Sequence, residues 1–318
     1  MRLRCLRASG RPLAGLLLCG HVVRAWTPAR ATEFLERLRS AAYDNLEITA
    51  EQAEHFSRVG VRHAAQGWTN VQGIRKGLQP LLSSRGSVFT DMHGSRTDMH
   101  VVVIEVGAWR GGSAIAIADA LKGAFPGAKL NVVSVDTWLG APEFWFECCY
   151  FTADRGGGLQ RKHGYPSVFY NFTRNLKLAG HSDVSAPLPL SSLQAVDVLH
   201  HWGVQAQAIY IDGAHKKEPA YEDMRHYWRL LEPGGILFGD DASNPGVFSA
   251  IVDFQRVHAS EIARPYNTSG TPKVDFSKMY NDRKRHMWQP CATASWQVRW
   301  SVKCFRKSVW SLEKQRRT

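Results

Sequence analysis

The 318-residue sequence contains no run of about 18 apolar residues, which argues against a protein that crosses a membrane several times. No internal repeat of about 20–50 residues occurs, so a solenoid or propeller array is excluded. Hydrophobic residues make up 44% of the chain and charged residues 21%, which excludes a mostly disordered protein. The sequence therefore predicts a globular protein with one large or two small domains.

Cysteine is scarce, with six residues in the whole chain and no C-x-x-C pair, so a cysteine zinc site is not expected. Cys5 and Cys19 lie in the N-terminal segment, and the adjacent Cys148 and Cys149 could pair with each other only with strain. The cysteines therefore leave the redox compartment of the protein open.

The net charge of +12 is confined to the two ends of the chain. Residues 1–31 contain six arginines and no acid, and residues 278–318 contain eleven lysines or arginines and two acids, whereas residues 32–277 carry a net charge of −3. Neither a zinc-finger spacing nor an aromatic RNA-binding signature accompanies the basic ends, which argues against a nucleic-acid partner. We interpret them as solvated surface; binding to RNA or an anionic surface is the alternative.

The N-terminus has the layout of a targeting leader, residues 1–31. Arginines precede a short apolar stretch, Leu13 to Val23, and the small-x-small triplet Ala29-Arg30-Ala31 follows. A secretory signal peptide and an organelle transit peptide both fit this layout. An uncleaved N-terminus, and hence a cytoplasmic protein, is the third interpretation. A membrane is not expected as a partner.

Apolar residues recur at helical spacing through the next part of the chain. We predict three helices there, around Phe34–Ala42, Glu51–Ala65 and Val71–Leu82. No chemical motif accompanies them. With the polar connection that follows, they define a predicted helical cap, residues 32–97.

Short runs of β-branched residues then alternate with helical patterns, which is typical of a parallel sheet with helices on both faces. The strands are predicted at 100–106, 131–135, 208–211 and 236–238, the helices at 113–122, 219–231 and 247–259, a turn at 233–235 and an antiparallel edge strand at 296–304. We expect an α/β, doubly wound, mostly parallel sheet in a domain spanning residues 98–305, with a basic tail at 306–318.

The candidate polar residues follow the carboxyl ends of these strands, where open α/β sheets bind ligands. Glu105 at the end of the first strand is followed by a turn rich in small residues, which lets a ligand approach the backbone: Gly107, Gly111, Gly112 and Ser113. The turn lacks the G-x-G-x-x-G spacing of dinucleotide-binding proteins, which argues against a nicotinamide-dependent reductase.

An acid after the second strand, Asp136, can accept hydrogen bonds from both hydroxyls of a ribose. Asp212, Asp240 and Asp241 follow two further strands and suit Mg²⁺ or Ca²⁺. His215 could reach the same cavity as a general base. The alternative is that the acids cap a helix and the histidine packs in the core.

Four motifs in this order resemble the class I S-adenosylmethionine-dependent methyltransferases. They are E-V-G-x-x-x-G-G-S from Glu105, S-V-D-T-W-x-G around Asp136, Y-I-D-G-A-H around Asp212, and L-x-P-G-G-x-x-x-G-D-D ending at Asp241. The resemblance covers residues 98–260 and is closest to the macrocin-type sugar O-methyltransferases and the cephalosporin-hydroxylase-like proteins. It implies a seven-stranded Rossmann-like sheet.

The resemblance also implies roles for individual positions. The cofactor S-adenosylmethionine would contact Glu105, Gly107, Gly111, Gly112, Ser113, Asp136, Trp138 and Ser192, with Asp136 on the ribose and Ser191-Ser192 beside the adenine. Mg²⁺ would be held by Asp212, Asp240 and Asp241, and His215 would be the base. The acceptor would be a hydroxyl of a small molecule or sugar, although the residues themselves are compatible with a sugar hydroxyl, a small phenol or a peptide side chain.

An aromatic stretch, Glu143 to Phe151, departs from the family pattern and resembles an enlarged lid, and its rings could equally cover the acceptor or pack on the core. Two other functions stay open at this point. One is a hydroxylase or reductase on the same scaffold, and the other is a methyltransferase-like binding module without activity. The sequence does not indicate an oligomeric state.

Overall fold

The computed structural model describes residues 28–64, 69–83, 100–141, 145, 159–161, 163–262 and 305–306. None of the helices within these ranges combines the length and the apolarity needed to cross a membrane. The predicted edge strand at 296–304, most of the predicted lid and the rest of the basic tail lie outside the described residues.

Six strands form one sheet: β1 (His100–Val106), β2 (Lys129–Val135), β3 (Ser185–Leu188), β4 (Ala206–Ile211), β5 (Leu231–Gly239) and β6 (Phe305–Arg306). Their order is β3-β2-β1-β4-β5-β6; β1 to β5 are parallel, and β6 runs antiparallel to β5. The predicted doubly wound parallel sheet is confirmed. Of the seven strands expected from the resemblance, the described residues contain these six.

Within the described ranges, eight α-helices accompany the sheet: α1 (Pro28–Tyr43), α2 (Ala50–Ala64), α3 (Val71–Ser83), α4 (Gly112–Ala124), α5 (Val168–Leu178), α6 (Ser192–His201), α7 (Lys217–Tyr227) and α8 (Pro245–Val257). The three helices predicted before the sheet are all present, within a few residues of their predicted bounds. Two helices, α5 and α6, were not predicted, although Val168, Phe172 and Leu176 recur every four residues and are fully buried along α5.

Two apolar clusters sandwich the sheet, one on each face. Leu35 of α1 packs with Leu199 of α6 and Phe254 of α8 in one cluster. Leu78 of α3 packs with Ile117 of α4 and residues of α5 in the other. The predicted cap helices α1 and α3 therefore belong to opposite layers, because each has an apolar side that only the sheet layers can bury.

The helix α1 begins inside the predicted leader. Ala31 is 7% exposed and lies in the core cluster, and the Arg30 guanidinium stands 4.8 Å from the centroid of the Trp202 ring and is hydrogen-bonded to His201. The last four residues of the segment 1–31 are thus part of the folded domain in this structure.

Two predicted boundaries around β5 are wrong. The helix α7 ends at Tyr227, because residues 228–230 form a 3-10 turn and Leu231 already pairs with Ala206 of β4. The turn predicted at 233–235 lies inside β5, where the register against β4 shifts, and Gly234 has a φ of 83°. The Pro-Gly-Gly triplet here makes a bulge, which interrupts the ladder without ending the strand.

Candidate active site

The order of the strands places four loops at one edge of the sheet. Val106 at the end of β1 pairs with Val135 of β2 on one side and with Ile211 of β4 on the other, and Ile211 pairs with Gly239 of β5. The sheet order reverses between β1 and β4, and such a switch point opens a crevice beyond the strand ends. The predicted site residues of all four loops therefore share one edge of the molecule.

Glu105, the last acid of β1, is fully buried. Its Oε2 accepts a hydrogen bond from the Ser134 hydroxyl at 2.8 Å, whereas its Oε1 has no hydrogen-bond partner among the described residues. Burial raises the pKa of Glu105 to about 7, against the opposing effect of the Ser113 and Ser134 hydroxyls. The side chain is therefore a buried acceptor beneath the glycine-rich turn.

The glycines of this turn are required by the packing of the protein itself. Gly107 and Gly111 have φ values of +90° and +89°. A Cβ on Gly107 would lie 2.1 Å from the carbonyl oxygen of Asp212, and one on Gly111 would lie 2.3 Å from Leu176 of α5. Gly107 is thus pressed against the backbone of the next loop along the edge and Gly111 against a side chain of α5, and these contacts account for both glycines without a ligand.

Asp136 anchors the same turn from the end of β2. Its Oδ2 accepts hydrogen bonds from the amides of Ala108 (3.1 Å) and Trp109 (2.9 Å), and its Oδ1 accepts one from the Trp138 amide at 2.7 Å. Burial raises the pKa of Asp136, and these backbone donors oppose the rise. The carboxylate lies at the predicted position; its contact with a ribose stays a prediction.

Trp138 lies in the core. Its ring is 1% exposed and packs against Phe169 and Phe172 of α5, with ring centroids 4.9 and 5.0 Å away. Its indole N–H donates to the carbonyl of Trp109 at 2.7 Å. Both tryptophans have positive φ, 45° for Trp109 and 53° for Trp138, so the Asp136 carboxylate holds two strained residues in place. The predicted contact between Trp138 and the cofactor stays a prediction, and the structure assigns its ring to the core.

The start of α4 offers the remaining predicted cofactor contacts. Gly112 opens the helix and Ser113 follows it, and both are buried. Gly111 is the N-cap, and no side chain caps the helix. Amide groups in the first turn of a helix have no partner within it and attract electron-rich groups, so this turn can accept a polar ligand.

Ser192 opens α6 after β3. The hydroxyl of Ser191 caps this helix by accepting from the Gln194 amide, and the carbonyl of Ser192 accepts from the Tyr227 hydroxyl at 2.9 Å. The Ser192 hydroxyl is bonded to Asp223 of α7, a buried acid that the sequence analysis did not identify. Ser192 itself is half-buried at the predicted edge.

The loops after β4 and β5 bring two carboxylates and an imidazole together. Ligand atoms of Asp212, His215 and Asp241 all lie within 4.8 Å of one another, and His215 Nε2 contacts Asp241 Oδ2. Asp240 lies outside this group, and its Oδ1 accepts from the Asp241 amide at 2.8 Å. The convergent set is therefore two of the three predicted metal ligands plus the predicted base.

The electrostatics of these loops favour a cation. Burial raises the pKa of Asp212 well above its usual range, and the neighbouring carboxylates Asp240 and Asp241 raise it further. The Tyr210 hydroxyl donates to Asp212 Oδ2 at 3.0 Å and opposes the rise. Tyr210 was not predicted, although residues two apart on a strand point to the same face. A bound cation would relieve the repulsion among the three carboxylates.

The backbone of His215 rests on the first turn of α8. Asn244 caps this helix through Oδ1, which accepts from the Gly246 amide at 2.9 Å, and Pro245 follows the cap. A Cβ on Gly246 would lie 2.4 Å from the carbonyl oxygen of His215. Only a glycine leaves room for the loop here, a requirement that the sequence pattern did not reveal.

Of the predicted aromatic lid, the described residues include Trp145. Its ring is 44% exposed, its indole N–H donates to the Leu139 carbonyl at 3.0 Å, and the Arg161 guanidinium lies 5.2 Å from the ring centroid. This ring therefore lies on the surface, held by its N–H and by one cation–π contact.

Three solved structures illustrate what the chain is similar to. Calicheamicin methyltransferase CalS11 is 18% identical, with 84% of this chain and 96% of that chain covered and a TM-score of 0.41. The O-methyltransferase NovP is 15% identical, with 73% and 93% covered and a TM-score of 0.42. The O-methyltransferase from Bacillus cereus, in complex with SAH, is 14% identical, with 74% and 80% covered and a TM-score of 0.34. No curated protein sequence matches this chain.

Residues 104–242 match the family model of a methyltransferase domain. The matched segment starts in β1 and ends just after Asp241, so it contains the glycine-rich turn, Asp136 and the convergent set after β4 and β5. The match of this segment to a methyltransferase domain agrees with the resemblance of its motifs to the class I S-adenosylmethionine-dependent methyltransferases.

Proposed function

We propose that the protein transfers the methyl group of S-adenosylmethionine to a hydroxyl oxygen of a small molecule or sugar, with Mg²⁺ assisting. One observation carries the proposal: an imidazole and two carboxylates converge on the loop whose backbone packs against the glycine-rich turn. His215 as the base and the carboxylates as a cation site would therefore lie beside the turn where the cofactor would bind.

The residues at the end of β1 fit the cofactor. Glu105 is fully buried and offers an acceptor oxygen that has no partner in the described part of the chain. Gly107, Gly111, Gly112 and Ser113 would present backbone to the methionine part, with Asp136 at the ribose and Ser192 at the adenine. When bound, the cofactor supplies an activated methyl group on its sulfonium.

The loops after β4 and β5 carry residues that could remove the proton of an acceptor hydroxyl. His215 would take the proton of the acceptor hydroxyl on the ring nitrogen that does not face Asp241, while the methyl group passes from the sulfonium to the oxygen, which leaves a methyl ether and neutral S-adenosylhomocysteine. Asp241 contacts Nε2 and would orient the ring and stabilise the imidazolium. Asp212 and Asp241, with Asp240 beside them, would hold Mg²⁺, which lowers the pKa of a coordinated hydroxyl.

The test is methyl transfer from labelled S-adenosylmethionine to a panel of sugar and phenol acceptors. We expect His215→Ala to lower turnover by about 10²–10⁴-fold. Asp241→Ala should lose both activity and dependence on divalent ions. Asp253→Ala removes an acid of α8 that pairs with Lys217, and it serves as the matched control.

The outcomes separate the two parts of the proposal. Full turnover in excess EDTA would remove Mg²⁺ and leave the methyl transfer intact. A wild-type protein that binds the cofactor and turns over no hydroxyl acceptor would overturn the assignment of the acceptor.

A further inference from the structure

Asp223 of α7 is a buried acid that the proposed reaction does not use. It is 3% exposed, and burial raises its pKa to about 6, with the Ser192 hydroxyl opposing the rise. It shares the buried side of α7 with Ala220, Met224 and Tyr227. Because that side packs on the sheet, the carboxylate lies in the interior of the domain.

Two contacts place this carboxylate between the two halves of the edge. The Ser192 hydroxyl is bonded to Asp223, and the Tyr227 hydroxyl holds the carbonyl of the same serine at 2.9 Å. On the other side, a Cβ built on Gly213 would lie 3.3 Å from Asp223 Oδ2. The carboxylate thus lies beside the start of α6 and borders the backbone directly after Asp212, where a side chain on Gly213 would pack tightly against it.

We propose that Asp223 is a positioning residue that fixes the start of α6 and the loop 212–215 relative to each other. The inference rests on the proposed function, in which Ser192 lies beside the cofactor and the loop carries Asp212 and His215. Displacing the start of α6 would leave the buried carboxylate without the Ser192 hydroxyl, and displacing the loop would open a gap beside the carboxylate in the interior of the domain. Asp223 would therefore act on cofactor affinity through Ser192 and on turnover through the loop.

The affinity part is tested by a double-mutant cycle on the titration of S-adenosylhomocysteine. We expect Asp223→Asn and Ser192→Ala each to weaken binding about tenfold, and the double variant to bind no more weakly than Asp223→Asn alone. Glu222→Gln is the matched control, since it removes an acid one position away that pairs with Arg225, and it should bind as the wild type does. Losses that simply multiply in the double variant would overturn the inference.

The turnover part uses the acceptor found in the assay above, at saturating cofactor. Asp223→Asn should lower kcat about tenfold, whereas Ser192→Ala, which removes a proposed cofactor contact, should act mainly by raising KM for the cofactor. A merely structural role would lower thermal stability without this split. Equal kcat in Asp223→Asn and wild type would contradict the role of Asp223 in placing the loop.

If Asp223→Asn does not fold, Gly213→Ala gives a second test, because its methyl group presses on Asp223 Oδ2. We expect it to lower kcat about tenfold, and an unchanged kcat would overturn the inference. The proposed function and the positioning role can be contradicted separately. If the wild type binds no S-adenosylhomocysteine, the proposed function is wrong. If the wild type binds it and the variants behave as the wild type does, only the positioning role is wrong.

Discussion

The two halves of the candidate active site are built in opposite ways. On the β1–β2 side, the Asp136 carboxylate accepts three backbone amides, and the neighbouring turn packs against protein atoms at Gly107 and Gly111. On the β4–β5 side, His215 is exposed, and burial together with the carboxylates of Asp240 and Asp241 raises the pKa of Asp212.

The difference indicates that the two halves of the site have different roles. The first half is fixed by the protein before any ligand arrives, as preorganised binding of a large cofactor requires. The second half holds like charges close together, and a cation or a transferred proton would relieve their repulsion. Single substitutions in each half of the site test this contrast, starting with the largest expected effect.

Gly107→Ala should break the contact that joins the two halves. Its Cβ would lie 2.1 Å from the Asp212 carbonyl oxygen, and a φ of +90° is unfavourable for alanine. We expect the free energy of unfolding to fall by about 3 kcal/mol or more, from overpacking and backbone strain together, as measured by urea denaturation.

Gly123→Ala is the matched control, because Gly123 lies inside α4 with no atom within 4 Å of a built Cβ. This variant should gain roughly 0.5–1 kcal/mol from helix propensity. Equal effects of the two substitutions would show that the turn does not press on the loop.

Glu105→Gln should change how the stability of the protein depends on pH, because Glu105 is the buried acid of the β1–β2 half. Burial raises the pKa of Glu105 from 4.5 to about 7, so folding favours the protonated acid. Its contribution to stability is complete below pH 4.5 and is lost as the pH rises through 7, by up to about 3 kcal/mol. Glutamine stays neutral, so the variant should be more stable than the wild type at pH 8 and similar to it at pH 4.5. If the free energies of unfolding of the wild type and the variant changed in parallel from pH 4 to 8, the raised pKa of Glu105 would be contradicted.

Gly246→Ala should disturb the acidic half alone. Its Cβ would lie 2.4 Å from the His215 carbonyl oxygen and would push the loop away from α8. We expect a stability loss of roughly 1–3 kcal/mol and a fall in kcat of about tenfold, with cofactor affinity unchanged. Ser249→Ala, three residues further along α8, is the control. A loss of cofactor affinity instead of turnover would mean that the two halves are not separable.

The smallest expected effect compares two tryptophans. Trp138→Phe removes a buried N–H that donates to the Trp109 carbonyl and leaves a gap in the core, which should cost roughly 1–3 kcal/mol. Trp145→Phe removes a similar bond at a ring that is 44% exposed and should cost less than about 0.5 kcal/mol. Thermal unfolding of both variants measures the difference, and equal losses would show that Trp138 is not part of the rigid half.

The sequence predicted the sheet well because buried parallel strands are nearly continuous runs of β-branched residues. The strand at 100–106 was predicted with its observed bounds, and the polar residues that follow the strands fall on one edge. Polar residues at strand ends can be recognised locally in the sequence, and in a parallel sheet the carboxyl ends of neighbouring strands lie side by side, which brings these residues close together.

Other features depend on contacts that no local pattern encodes. The burial of Trp138 follows from α5, which was not predicted, and the pairing of His215 with Asp241 depends on side-chain directions in two loops. Asp223 resembles an ordinary helix-surface acid in the sequence, because its partners come from α6 and from the loop after β4. Contacts between segments that are distant in the sequence determine the surroundings of these side chains.

The most direct test of the central claim is a calorimetric titration of the wild-type protein with S-adenosylhomocysteine, repeated with Asp136→Ala. The account predicts saturable binding at one site per chain, weakened at least tenfold in the variant, because Asp136 anchors the turn and is the residue proposed to hold the ribose. An absence of binding heat at several temperatures, or equal affinity in the two proteins, would contradict it.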